Sequence, residues 1–173
     1  VIEIAPSHSD AYFQIGECFR ELEEWDNAFA FYNRAVKFAI AKDEYLIAIA
    51  ELNYDLENYE MAAVAYQEAI EVNQKDANYW IGWSKSFFAL ELFEEALQVA
   101  EIAQKDLDIE ENAELLMMIA TALFALGKKR LATTYFIEAL QIDFKTYKTC
   151  FDLLPKLKQN LDILNLLELY REG

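Results

Sequence analysis

Few side chains in this sequence are of types that carry out chemistry. Histidine occurs once, at His8. Paired with Asp10 it could form half of an acid–base couple, but no serine or cysteine nucleophile in a suitable loop accompanies it. The loop 7–10 reads instead as a helix start, with Ser9 or Asp10 supplying the capping oxygen. Cys18 and Cys150 stand several helices apart, so a disulfide between them is not expected. Unpaired thiols suit a reducing, cytoplasmic setting but also any neutral one. The acidic segment 105–114, KDLDIEENAE, lacks the cleft between carboxylates that glycoside hydrolysis needs. It also lacks the D-x-D-x-D-G order and glycine turn of a calcium loop. Lys128, Lys129 and Arg130 form the densest basic cluster, too short to suggest nucleic acid. There is no glycine-rich phosphate loop, HExxH, CxxC or GxSxG. No catalytic, metal or cofactor site is expected, and the chain does not read as an enzyme.

Composition narrows the partners. Fifteen basic and 31 acidic residues give a net charge of −16, which disfavours nucleic acid and anionic membranes, since phosphate binding runs on Lys and Arg. Hydrophobic content of 55% with 27% charged residues is ample for a core. Three internal glycines (Gly16, Gly82, Gly127) and two prolines argue against an all-β fold. The apolar stretch 115–126, LLMMIATALFAL, falls short of the ~18 residues a membrane span needs. It reads as a buried helix with one face open to a groove, and no membrane insertion is expected.

The elements that position these residues follow from a repeat. Small residues recur as Ala28…Ala35, Ala62…Ala69, Ala96…Ala103 and Ala132…Ala139, in steps of 34, 34 and 36. A fixed period in this range marks a repeat architecture, and the 3.6-residue periodicity inside each period makes the repeat a helix pair. Large residues accompany the small ones: Tyr12, Ile15, Phe19, Trp25 and Tyr32 first, then Leu46, Ile49, Tyr59 and Tyr66. Next come Trp80, Trp83, Phe87 and Phe93, and lastly Leu116, Ile119, Leu123 and Phe136. Trp80 and Trp83 hold two of these recurring large positions, three residues apart on one helix. Asn53 departs from the pattern. Asp43 is expected to cap the helix that follows it, Asn58 to take the left-handed conformation at a helix end, and Gly127 to end another.

In these residues the chain resembles the tetratricopeptide repeat (TPR) family. The resemblance implies an all-α, right-handed helical-repeat solenoid of antiparallel helix pairs. One array is expected over 1–173, with repeats at 9–42, 43–76, 77–110 and 113–146. Residues 1–8 read as the remnant of a preceding repeat, so the natural N-terminus is expected upstream. At 147–173 the register decays: Cys150, Leu153, Leu154 and Leu157 hold first-helix positions, Pro155 interrupts them, and a leucine-rich helix closes the stack. Terminal repeats are atypical because they cap the core.

The resemblance also implies a concave groove lined by the first helix of each repeat. The residues expected there are Phe13, Glu17 and Arg20, then Ile47, Glu51 and Tyr54. They continue with Ile81, Lys85 and Phe88, and end with Met117, Thr121 and Phe124. Some family members hold a chaperone's terminal carboxylate with Lys and Asn on these helices. Phe13 and Glu17 occupy those places here, so that mode is not expected. One half of the groove reads as acidic, through Asp10, Glu17, Glu21, Glu44, Glu51 and Asp55 against Arg20. The other reads as apolar, through Ile81, Phe88, Met117 and Phe124. The expected partner is a protein or peptide segment, basic at one end and apolar at the other. The alternative is a structural or oligomerisation array, and a homo-oligomer is left open.

Overall fold

The computed structural model describes residues 9–107 and 112–171. His8, the segment 1–8 and most of the acidic insertion (108–111) lie outside the described residues. Among those described, ten α-helices follow one another in antiparallel pairs, an all-α helical repeat. They are α1 (Ser9–Glu21), α2 (Trp25–Phe38), α3 (Asp43–Asp55), α4 (Tyr59–Val72), α5 (Ala77–Ala89), α6 (Phe93–Asp106), α7 (Ala113–Ala125), α8 (Lys129–Ile142), α9 (Tyr147–Leu153) and α10 (Leu161–Arg171). They fall into two compact units divided after Tyr79.

The turn inside each of the first four pairs is the same motif. Glu23, Glu57, Glu91 and Gly127 all have positive φ, between 59° and 75°. Each donates its N–H to the carbonyl three residues back, and the next residue donates five back: Glu23 to Arg20 and Glu24 to Phe19, Gly127 to Phe124 and Lys128 to Leu123. This is the Schellman closure, which satisfies carbonyls left open at a helix end. The left-handed residue of the second turn is Glu57, and Asn58 has φ −84°, which corrects the expectation for Asn58. Hydrogen-bond register decides here: the 6→1 bond from Asn58 to Asn53 requires the residue before Asn58 to reverse the chain.

In the first unit α1 packs on α2, α2 on α3, and α3 on α4. The core is Ala28, Tyr32, Ala48 and Leu52, flanked by Phe13, Phe19, Trp25, Phe29, Ile49 and Leu56. Asp43 is the first residue of α3 and caps nothing. Instead its carboxylate accepts hydrogen bonds from Asn73 Nδ2 at 2.9 Å and the Tyr79 hydroxyl at 3.3 Å. The helix starts at Asp43 rather than after it, so its oxygens are free for the following helix end.

The second unit, from Trp80 on, holds most of α5 and the remaining helices. Ser84 is fully buried and its Oγ donates to the Ala96 carbonyl at 2.8 Å, a close crossing of α5 with α6. Trp80 is buried and Trp83 half-buried, each packed in an aromatic run with Phe87. Apart from Glu114 and the buried Thr121, helix α7 is apolar, and α6, α8 and α9 pack against it. Asn112 caps it, accepting from the Leu115 N–H at 2.9 Å. After α9 the chain breaks at Leu154, passes Pro155 in a 3-10 turn (Pro155–Gln159), and enters α10. Cys150, Leu154, Leu157 and Ile163 anchor this segment in the core.

Candidate functional site

On the first unit, α1 and α3 present a row of polar side chains at helical spacing. Arg20 lies between two carboxylates of α3: Nη2 is 2.8 Å from Asp55 Oδ2 and Nη1 is 3.8 Å from Glu51 Oε2. Burial alone works to lower the guanidinium's pKa. The Asp55 hydrogen bond and the surrounding negative groups outweigh it and hold the pKa above its ordinary value. Burial raises the Glu51 carboxyl above the ordinary range; Arg20 opposes this, and the charges of Asp55 and Glu17 reinforce it. Three carboxylates therefore share one cation.

A second layer lies beneath them. The Tyr32 ring is fully buried, yet its hydroxyl donates a short hydrogen bond to Glu17. One repeat on, burial pushes the phenol of Tyr66 up, with help from the Glu51 charge. Beside them, the Tyr45 hydroxyl donates a short bond to Asp10. Sequence reasoning treated Tyr32 and Tyr66 as core alone. The available signal was their type: tyrosine occupies this position in the two acidic repeats, where Ala100 and Phe136 stand in the others. Phe13 is half-buried against the rings of Tyr32 and Tyr45, at 5.7 and 5.3 Å between centroids. Ile47 and Tyr54 are half-buried, and Tyr54 meets Tyr59 edge-on.

Three tetratricopeptide repeat models match the chain, over residues 10–38, 47–112 and 113–146. The chain belongs to the tetratricopeptide repeat family. It is a repeat domain that is typically non-catalytic. Comparison with curated protein sequences finds no match. Among solved structures it is similar to MamA, at 18% identity over 83% of each chain with a TM-score of 0.70. It is also similar to PilF of Pseudomonas aeruginosa, at 18% identity over 95% of this chain and 76% of that one (TM-score 0.69). A third is YrrB, described as a TPR protein with an unusual peptide-binding site, at 17% identity over 82% and 72% (TM-score 0.67). At these identities the likeness establishes the fold.

Other positions expected to line a TPR groove are placed differently in the second unit. Met117 and Thr121 are completely buried, and Ile81 and Phe88 are 5% exposed. The exposed apolar half-groove expected from sequence is therefore corrected. Met117 and Thr121 lie within α7, against which α6, α8 and α9 pack; Thr121 donates to the Met117 carbonyl at 2.6 Å and faces Cys150 of α9. Phe88 packs on Phe93, 4.9 Å between centroids. Phe124 remains half-buried against Phe136. Lys85 is paired with Glu114 at 2.8 Å, and Glu114 also accepts from Thr149 at 3.3 Å.

Among the described residues, no cluster of three or more His, Cys, Asp or Glu side chains is arranged to hold a metal ion. No described helix is long and apolar enough to cross a membrane.

Proposed function

We propose that this chain is a non-catalytic protein-interaction module whose first unit receives a cationic partner segment along α1 and α3. The observation that carries the reading is the unequal charge around Arg20: Glu17, Glu51 and Asp55 share a single guanidinium. A Lys or Arg side chain arriving between Glu17 and Glu51 relieves the like-charge crowding that Arg20 leaves. Half-buried Ile47, Tyr54 and Phe13 supply apolar and aromatic contact beside the charges. The fold supports the mode, and YrrB, a similar TPR protein, is described by its peptide-binding site.

The test is a peptide array probed with the whole chain. Segments combining Lys or Arg with Leu, Ile or Phe are expected to bind, with affinity falling as salt rises, because exposed charges are screened over ~10 Å at 0.1 M. Glu51→Lys is expected to slow association at low salt. Peptides selected without regard to charge, and an indifferent Glu51→Lys variant, overturn the reading. A second reading, a structural or oligomer-forming array, is favoured by the complete burial of Met117 and Thr121. Concentration-dependent association in sedimentation, with no peptide selection, supports that one instead.

A further inference from the structure

One segment of the second unit runs against the acidic character of the chain. Between Asp143 and Asp162 stand four lysines (Lys145, Lys148, Lys156, Lys158) and a single carboxylate, Asp152, in a chain whose net charge is −16. The local fold gathers them. The 3-10 turn at Phe144–Thr146 leads directly into α9, so Lys145, Lys148 and Asp152, at steps of three and four, share one face. Pro155 then ends α9 and opens a second 3-10 turn, which brings Lys158 Nζ to 3.8 Å from Asp152 Oδ1. The Asp143 carboxylate is engaged elsewhere, accepting from the Lys145 N–H at 2.9 Å. All four lysines are exposed, and among the described residues Lys145, Lys148 and Lys156 make no ion pair. Tyr147, Phe151 and Leu153 of the same helix are half-buried.

We propose that this lysine face docks on the acidic row of a second copy of the chain, along α1 and α3 of its first unit. The inference rests on the reading of that row as a site for a cationic segment, and names its occupant. The two surfaces are matched in charge. On the row, Glu17, Glu51 and Asp55 share one guanidinium, Arg20. On the lysine face, Lys145, Lys148 and Lys158 share one carboxylate, Asp152. The composition matches too. The row has half-buried Phe13, Ile47 and Tyr54 beside its charges, and the lysine face has Tyr147, Phe151 and Leu153. Opposite charges steer such surfaces together and fix their register. The net charge of −16 opposes two copies at long range. At 0.1 M salt, however, charges more than ~10 Å apart are largely screened, and the pairs in contact decide. Because the two surfaces differ, the contact is heterologous, and each pair keeps one row and one lysine face free for further copies.

Sedimentation velocity of the whole chain at about 0.1 M salt, over a range of concentrations, reads the association. The mean sedimentation coefficient is expected to rise with concentration, and the rise to disappear at high salt. Glu51→Lys neutralises the surplus charge of the row, and the double variant Lys145→Glu with Lys148→Glu reverses that of the lysine face. Each alone is expected to stay monomeric where the parent associates. Mixed in equal amounts, the two are expected to form a one-to-one pair and nothing larger, since one keeps its lysine face and the other its row. All three positions are exposed, and circular dichroism checks that both variants fold. A parent that stays monomeric throughout overturns the proposal, as does a mixture that fails to pair. Self-association that survives in both variants overturns it as well, because another surface is then the contact. The reading of the row is separable: a Lys- and Leu-containing peptide that binds a monomeric parent, and loses binding in Glu51→Lys, upholds the row while this inference falls.

Discussion

Tyr32 lies directly over Gly16: a Cβ added at position 16 would stand 2.6 Å from both Cδ1 and Cε1 of the ring, and 3.4 Å from the Ala28 carbonyl. The small position of the first repeat is thus set by an aromatic ring from its own second helix. That ring cannot swing away freely, because its hydroxyl is held by Glu17 and its faces are buried.

Gly16→Ala is therefore expected to destabilise the first unit. Alanine gains ~0.5–1 kcal/mol over glycine in a helix interior, while forcing a methyl into a filled crossing costs ~1–3 kcal/mol. The overpacking term wins. A urea denaturation series should give a lower midpoint, and an unchanged or higher one contradicts the crowding of Tyr32.

The four turns make a paired prediction. Gly127 has φ +75° and open space where a Cβ would go, so Gly127→Ala tests conformation alone and should cost ~1–2 kcal/mol. Glu57→Gly should shift stability upward, since relief of the left-handed strain exceeds the ~0.4–1 kcal/mol lost through a freer unfolded chain. At this chain length each kcal/mol corresponds to roughly 2–4 °C in Tm. Shifts of the same sign in the two variants would refute the common turn geometry.

The helix pairs and their close crossings were legible in the sequence because packing at a fixed period demands small residues at fixed places. Ala28, Ala62, Ala96 and Ala132 are all fully buried. The turn detail was not legible, since asparagine's tolerance of positive φ is a preference while hydrogen-bond register is a constraint, and Glu57 shows which prevails. Nor was the burial of Met117 and Thr121. A first-helix position is open or closed according to what packs over it, and α6, α8 and α9 all pack on α7, with Cys150 of α9 at Thr121, which no spacing within their own repeat records. The acid row was legible, but the pairing of Arg20 with Asp55 and the reach of the Tyr32 hydroxyl depend on distances between helices.

The thiols should separate by burial. Cys18 is exposed and Cys150 buried, with burial pushing the Cys150 thiol up to about 11 and the Thr121 hydrogen bond partly opposing it. Because the thiolate is the reactive form, iodoacetamide at neutral pH should modify Cys18 alone in the native protein and Cys150 only after denaturation. Mass mapping of the alkylated peptides checks this, and equal labelling of both would contradict the packing of α9 on α7.

Alkaline pH should loosen the first unit by a specific route. Burial first, and then the charges of Asp43 and Asp76, raise the Tyr79 phenol from 10 to about 12. A folded pKa above the unfolded one means stability that is fully present below pH 10 and is lost as pH rises through about 12. Tyr79→Phe removes this contribution, so its stability should fall less steeply over that window than the parent's, although Tyr32 and Tyr66 retain theirs. Parallel curves for the two proteins in denaturant titrations would contradict the assignment.

Arg20 offers the sharpest separation of structure from binding. Among the described residues it is the one cation held within hydrogen-bond reach of the Asp55 carboxylate and near Glu51. Arg20→Gln leaves Glu17, Glu51 and Asp55 without it. Stability should fall modestly, because the pair is partly exposed and such pairs contribute ~0–1 kcal/mol, and added salt should restore part of the loss by screening the three like charges. A cationic peptide meets the opposite change. The row becomes more negative by one charge, so association at low salt should quicken. Opposite signs for stability and for association are the expected pair of results, read by denaturation and by stopped-flow binding on the same sample. If both decline together, Arg20 is itself a contact for the ligand, and the first unit then recognises an acceptor group rather than a cation.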